Sequence, residues 1–184
     1  MFARNNLLMK FHSITTADDP HLPFVKKLYH TAFPEAERRD WQSLLDMLET
    51  KNEMWMQVIE EDGLTIGFWV FWVLDDFYFL EHFAVDPVLR GKRYGERVMQ
   101  ELIQYDQVIL EVEPPSTENA LRRIGFYERL GFSLLSFTYL QPSYRDPEAA
   151  YPMLLMTNAV IKEDELKNMV IQIKETVYGH TGGK

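Results

Sequence analysis

Apolar residues recur along this chain with two periods, and each period predicts a different kind of element. Alternation with period two, or a short apolar run between turn signals, is typical of strands, whereas spacing of three and four residues is typical of helices. The first pattern predicts seven strands, at residues 11–14, 54–60, 66–74, 77–85, 108–112, 132–140 and 153–157. The second pattern predicts five helices, at about residues 24–33, 41–48, 96–105, 118–130 and 162–178.

The order of these elements predicts the topology of a sheet. Three successive strands between residues 54 and 85 are joined by short turns, one of them the hairpin signal Asp62-Gly63, so we expect them to be antiparallel. A helix separates the strands at 77–85 and 108–112, and such a strand–helix–strand unit brings its strands parallel. The expected fold class is α/β (α+β mixed sheet): a central mixed, mostly antiparallel sheet of about seven strands, flanked by helices, plus a C-terminal helix at 162–178.

Length and composition limit the number of domains and the kinds of partner and ligand that we expect. The 184 residues are expected to form a single domain, 1–184, with its core in residues 11–157. The net charge is −9 and the only basic stretches are 89–94 and Arg122-Arg123, so no nucleic-acid partner is expected. The absence of cysteine excludes thiolate metal sites and fits a reducing compartment. The longest uncharged apolar run, 64–74, is shorter than the about 20 residues that cross a bilayer, so we expect a cytoplasmic protein without membrane contact or metal.

A short basic loop with two glycines separates the fourth predicted strand from the helix that follows it. Gly91 and Gly95 flank Lys92 and Arg93, and Arg90 precedes them. A glycine-bearing loop that opens a helix presents unpaired backbone N–H groups at the positive end of the helix dipole, an arrangement that binds phosphate. In an otherwise acidic chain, this loop is therefore where an anion is expected to bind.

The element order and two local motifs together resemble the GNAT superfamily of acyl-CoA-dependent N-acetyltransferases, over roughly residues 11–157. The sequence Phe-Ala-Val-Asp-Pro at 83–87, leading to Arg-Gly-Lys-Arg-Tyr-Gly at 90–95, looks like the superfamily's pyrophosphate loop. The sequence Phe-Tyr-Glu-Arg-Leu-Gly-Phe at 126–132 looks like the helix-to-strand motif that carries its catalytic tyrosine. The resemblance implies a GNAT-like sheet with a parallel strand pair splayed at the cofactor site, and acetyl-CoA as co-substrate.

The resemblance also implies roles for individual residues. The amides from Arg90 to Glu96 would bind the pyrophosphate, the pantetheine arm would pair with the strand edge at 83–85, and one N–H of that edge would stabilise the oxyanion. Tyr127 would donate a proton to the departing sulfur. Arg93 replaces the first of the superfamily's two glycines, so it is either strained by a positive φ or adds a phosphate contact. The implied cofactor contacts are Phe83, Ala84, Val85, Arg90, Gly91, Lys92, Arg93, Tyr94, Gly95, Glu96 and Asn119.

Two carboxylates are candidates for the general base. Glu111 and Glu81 both lie among apolar residues in predicted strands, and burial is expected to raise the pKa of either carboxyl towards the working pH. The alternation of side chains along a strand predicts that His82 points to the face opposite Glu81.

Two classes of function remain open at this point. The first is an enzyme that transfers an acetyl group from acetyl-CoA to a primary amine of a small molecule or a peptide, by direct attack in a ternary complex. The second is a non-catalytic acyl-CoA-binding or regulatory module on the same fold. We expect the loops at 34–40 and 141–150 to select the acceptor, and a homodimer through the C-terminal helix is a further possibility.

Overall fold

Eight strands form one mixed sheet in a computed structural model of the protein, which describes residues 9–104 and 107–179. The strands are β1 (Lys10–Ile14), β2 (Met54–Glu61), β3 (Leu64–Leu74), β4 (Phe77–Val85), β5 (Val108–Val112), β6 (Ser133–Leu134), β7 (Tyr139–Pro142) and β8 (Ala150–Thr157). The helices are α1 (Leu22–Ala32), α2 (Trp41–Thr50), α3 (Tyr94–Leu102), α4 (Glu118–Arg129) and α5 (Glu163–Gln172). Within these residues no helix is both long and apolar enough to cross a membrane.

The sheet has the mixed topology that the order of elements predicted. Its strand order is β1-β2-β3-β4-β5-β8-β6, and β7 pairs with the first half of β8. Paired strands are antiparallel except β4 and β5, which are parallel. Their parallel pairing covers only residues 78–80 against 108–110, although β4 continues to Val85 and β5 to Val112. The two strands therefore separate towards their carboxyl ends.

Helices cover both faces of the sheet and bury two separate hydrophobic cores. We call the side covered by α1, α2 and α5 the α1 face; Trp72 and Phe79 are fully buried there. The opposite side, covered by α3 and α4, is the α3 face and buries Leu80. Side-chain caps define two of the helix starts. Asp40 accepts two N–H hydrogen bonds from the first turn of α2, and Thr117 accepts one from the first turn of α4.

A β-bulge in β4 places two consecutive polar side chains on one face. The pairing with β3 includes Leu80 and His82 but skips Glu81, which is left without a cross-strand partner. Glu81 accepts a hydrogen bond from Trp72, and His82 packs edge-to-face against Tyr29, so both side chains lie on the α1 face. The prediction that His82 points away from Glu81 is therefore wrong, because the bulge interrupts the alternation on which it rested.

Two further predicted elements differ from the structure. The predicted strand at 132–140 is two short strands, β6 and β7, because the Phe137 N–H donates to the Leu135 carbonyl and turns the chain between them. The C-terminal helix is α-helical as far as Gln172 and then continues as a π-helical turn. The predicted end of the third helix, near residue 105, lies outside the described residues.

Candidate active site

The separation of β4 from β5 leaves a cavity of about 290 Å³, which we call the splay cavity. The end of α1, residues of β4 and β5, and the inner side of α4 line it. Many of the residues that the sequence predicted for catalysis or for cofactor binding meet here: Glu81, Phe83, Ala84, Val85, Arg90, Glu111 and Tyr127. The tertiary structure thus brings together side chains from three elements that are far apart in the sequence.

A second cavity, of about 350 Å³, lies where α3 begins, and we call it the loop cavity. It shares Val85 and Arg90 with the splay cavity. Its lining includes most of the predicted pyrophosphate-binding residues: Arg90, Gly91, Arg93, Tyr94, Gly95 and Glu96. Lys92 and Asn119, also predicted as cofactor contacts, are exposed and line neither of these two cavities.

The backbone of this loop is left-handed at two positions before α3. Gly91 has φ of 80° and Arg93 has φ of 61°. The Arg93 side chain is exposed and forms a 2.6 Å ion pair with Glu96. Of the two alternatives for Arg93, the structure therefore has the positive φ, which costs a non-glycine residue roughly 1–2 kcal/mol.

The edge of β4 presents backbone N–H groups to the splay cavity. The N–H of Asp86 donates to the Ile66 carbonyl of β3 at 2.9 Å. Because successive N–H groups of a strand point to opposite sides, those of Phe83 and Val85 point away from β3, towards the gap where the pairing with β5 has ended. This edge can therefore hydrogen-bond an extended ligand as an additional strand would.

Tyr127 lies on α4 and lines the splay cavity. Its ring packs edge-to-face against Phe126 and Phe132. Burial raises the pKa of Tyr127 to about 12, so its hydroxyl group keeps its proton at neutral pH. A protonated hydroxyl beside a reacting centre can donate that proton to a leaving group.

Glu111 lies on β5 and lines the same cavity. Tyr139 of β7 and Tyr178, which follows the C-terminal helix, both donate hydrogen bonds to its carboxyl group, the second at 2.8 Å. Burial raises the pKa of Glu111 to about 7, even though the two hydroxyl donors act in the opposite direction. The expected rise in pKa is confirmed for this residue. A carboxyl group with such a pKa can take up and release a proton at neutral pH.

Glu81, the other candidate base, has a different environment. Its side chain has no solvent exposure, forms a 2.7 Å ion pair with Arg39 and accepts a 2.7 Å hydrogen bond from the Trp72 indole. Burial acts to raise the pKa of Glu81, but Arg39 and the other donors outweigh it, and the pKa lies below its ordinary value. The expectation of a raised pKa is therefore wrong for Glu81, because a counter-charge is buried with it. Since the residue as a whole is half-buried, its main chain at the bulge reaches the cavity.

Few of the side chains that surround these two carboxyl groups could be predicted from the sequence. The guanidinium of Arg39 lies 4.7 Å from the ring centre of Tyr144 and 5.8 Å from that of Tyr178, and it donates to a carbonyl at the end of the C-terminal helix. Arg39 and Tyr144 do lie in the two loops predicted to select the acceptor. Tyr139 and Tyr178 carried no signal, because a tyrosine in a strand or after an amphipathic helix usually serves packing.

A family model and a solved structure of a similar protein agree on one protein family for this chain. The model of the acetyltransferase (GNAT) domain family matches residues 51–134, which include both motifs. A solved structure of a GNAT-family acetyltransferase from Bacteroides thetaiotaomicron is 35% identical, with a TM-score of 0.87, over 93% of this chain and 99% of that chain. No curated protein sequence matches this chain.

Two more distant structures share the fold. The ribosomal-protein-S18-alanine N-acetyltransferase from Escherichia coli has a TM-score of 0.56 at 20% identity, over 85% of this chain and 98% of that chain. A GNAT family acetyltransferase from Elizabethkingia anophelis, solved with acetyl-CoA bound, has a TM-score of 0.55 at 13% identity, over 83% of this chain and 98% of that chain. This chain therefore belongs to the GNAT family, and it is an acyltransferase.

Proposed function

We propose that this enzyme transfers an acetyl group from acetyl-CoA to a primary amine of a small molecule or a peptide, by direct attack in a ternary complex. The observation that carries the proposal is that a carboxyl group with a pKa of about 7, Glu111, and a protonated hydroxyl group, Tyr127, line one cavity beside the open edge of β4. The Elizabethkingia anophelis structure holds acetyl-CoA, which supports this co-substrate. The name of the Escherichia coli enzyme specifies a protein alanine as its acceptor, which keeps a peptide amine among the candidates.

Acetyl-CoA would lie across the two cavities. Its pyrophosphate would bind the amides of residues 90–96, at the N-terminus of α3, where the helix dipole favours an anion. Its pantetheine arm would pair with the N–H groups of Phe83 and Val85. The Phe83 N–H lies nearer to the point where β4 and β5 separate, and we assign it the oxyanion of the tetrahedral intermediate. Lys92 and Asn119 stay predictions as further cofactor contacts.

The chemistry would use the two groups that line the splay cavity. The Glu111 carboxylate accepts a proton from the ammonium group of the bound acceptor, and the neutral amine then attacks the thioester carbonyl. The carbon–sulfur bond breaks, Tyr127 donates its proton to the CoA thiolate, and the phenolate so formed takes up the second proton that the attacking nitrogen loses as it becomes an amide. Glu81 is then a positioning residue rather than the base, because its carboxylate is engaged by Arg39 and its pKa is lowered.

Two measurements test the proposal. Calorimetric titration with acetyl-CoA, alongside dephospho-CoA, should show micromolar or tighter binding, roughly −8 kcal/mol, which Arg90→Ala weakens. Amine-dependent release of CoA across a panel of small amines and short peptides should then fall at least about 10²-fold in Tyr127→Phe. That variant should bind acetyl-CoA as the wild type does, and Tyr151→Phe, at an exposed tyrosine, is the matched control.

The outcomes separate the two function classes. Turnover that Tyr127→Phe leaves unaltered would exclude the acid role of Tyr127. Tight acetyl-CoA binding without CoA release for any amine would favour the non-catalytic module. The cytoplasmic location, which rests on the absence of cysteine and of a long apolar run, and the homodimer also stay predictions; cell fractionation and light scattering test them.

A further inference from the structure

Two histidines and an aspartate converge at the start of the described chain, on residues that line neither the splay cavity nor the loop cavity. His12 lies in β1, whereas Asp19 and His21 lie in the turn before α1. His12 Nε2 is 2.8 Å from one carboxylate oxygen of Asp19, and His21 Nδ1 is 3.0 Å from the other. The centroids of the two imidazole rings are 4.4 Å apart, and their planes are tilted by 43°. Three side chains with metal-binding atoms thus face one point.

The local backbone holds these groups in place. The His21 N–H donates to the Asp19 carboxylate at 2.9 Å, and the Leu22 N–H donates to the Asp19 carbonyl at 3.1 Å, so the turn is closed around the aspartate. On the other side, His12 is held in register with Val58 by the pairing of β1 with β2. The cluster therefore rests on a strand and on a hydrogen-bonded turn.

The spacing of the donor atoms suits a small divalent ion. One ligand atom from each of His12, Asp19 and His21 can be chosen so that all three lie within 4.8 Å of one another. Zinc with bonds of about 2.0–2.1 Å to nitrogen and oxygen holds tetrahedral ligand atoms about 3.3 Å apart. Small rotations of exposed or half-buried side chains would reach that spacing. Two imidazoles and one carboxylate also form a ligand set that zinc uses where a fourth position stays open to water.

A carboxylate outside the group of three ligands lies near the second ring nitrogen of His21. The other ring nitrogen of His21, Nε2, lies 3.6 Å from the Glu60 carboxylate. Metal-binding histidines almost always donate their second ring N–H to a carboxylate, a carbonyl or water, which fixes the ring orientation and strengthens the ligand nitrogen. At 3.6 Å the Glu60 carboxylate on β2 is at ion-pair distance rather than hydrogen-bond distance, and a small rotation of the His21 ring would bring the two groups into a hydrogen bond.

We propose that His12, Asp19 and His21 bind a divalent transition-metal ion, with zinc as the best match, and that Glu60 orients the His21 ring. The ion would connect β1 to the turn before α1 and so stabilise the amino-terminal edge of the sheet. The expectation from the sequence that the protein binds no metal would then be revised. The cysteine-free composition excluded thiolate ligands, but it left histidine and carboxylate ligands open.

Calorimetric titration of the tag-free, chelator-treated full chain with zinc chloride at pH 7.5 tests the proposal. We expect one equivalent of zinc to bind with micromolar or tighter affinity and to raise the unfolding temperature. His12→Ala and His21→Ala should each weaken binding at least about tenfold, and Glu60→Gln about 10–100-fold. His30→Ala, at an exposed histidine on α1, is the matched control and should leave the affinity unchanged.

Dissociation constants above the millimolar range, or binding that survives both His12→Ala and His21→Ala, would overturn the proposal. The His12 side chain is 44% exposed, so its removal should leave the fold intact. If His21→Ala does not fold, the zinc affinity of His12→Ala alone tests the site. These readouts do not involve acetyl transfer, so they remain informative whether or not the proposed acetyltransferase activity is found.

Discussion

Replacing Glu111 by glutamine should change how the stability of the protein depends on pH. The pKa of the Glu111 carboxyl is about 7 in the folded protein, against an ordinary value of 4.5. Between these values the unfolded chain has released a proton that the folded protein still holds, so folding becomes less favourable as the pH rises. With 1.36 kcal/mol for each pKa unit, this cost is roughly 1 kcal/mol at pH 5 and about 3 kcal/mol at pH 7. Glutamine cannot ionise, and its single carbonyl oxygen accepts only one of the two tyrosine hydrogen bonds, a loss that does not depend on pH.

We therefore expect the stability of Glu111→Gln, relative to the wild type, to increase by about 2 kcal/mol between pH 5 and pH 7. Urea unfolding of both proteins at several pH values measures this difference. The contributions of the other titrating groups are nearly the same in both proteins and largely cancel in the difference. Glu148→Gln, at an exposed carboxylate, is the control, and its free energy of unfolding should depend on pH as that of the wild type does. If the free energies of unfolding of Glu111→Gln and the wild type changed equally with pH, the raised pKa of Glu111 would be refuted. In the proposed mechanism, the same variant should also lose the rise of kcat/KM with an apparent pKa near 7.

Two further predictions concern charge and backbone strain. Arg39→Ala should lower the free energy of unfolding, measured in urea, by about 3–5 kcal/mol, because it leaves the Glu81 carboxylate buried without its counter-charge. A loss no greater than that of Arg145→Ala, the control at an exposed arginine, would contradict this prediction. Arg93→Gly should raise the free energy of unfolding by about 1 kcal/mol, since glycine adopts a positive φ without strain. Lys92→Gly, at the preceding residue, should bring no such gain, and equal effects of the two glycines would argue against strain at Arg93.

The C-terminal segment matters for the site because it contacts two of the buried polar groups, Arg39 and Glu111. Tyr178, at its end, donates to Glu111, and the preceding helix turn offers a carbonyl to Arg39. Arg39 in turn neutralises Glu81 under the cavity. The segment therefore closes the α1 face of the site and influences the carboxyl group that we propose as the base. This role differs from the dimer contact that the sequence suggested for the helix, and the two are compatible.

The sequence alone determined the features that depend on short-range chemistry. The hairpin at Asp62-Gly63, the cap at Asp40 and the strand, glycine loop and helix between residues 77 and 102 are all present in the structure. Each follows from turn residues, capping residues or apolar periodicity within about ten neighbouring positions. The parallel pairing of β4 with β5 also followed, because the handedness and length of a strand–helix–strand unit leave few alternatives.

Only the tertiary structure decided the electrostatics of the site. The two candidate bases looked alike in the sequence, yet Glu81 meets Arg39 from 42 positions away and Glu111 meets Tyr178 from 67 positions away. One partner is charged and the other neutral, so the two pKa values shift in opposite directions. The bulge at Glu81 is likewise invisible in the apolar pattern, since a single unpaired residue changes which face a side chain reaches without changing its neighbours in the sequence.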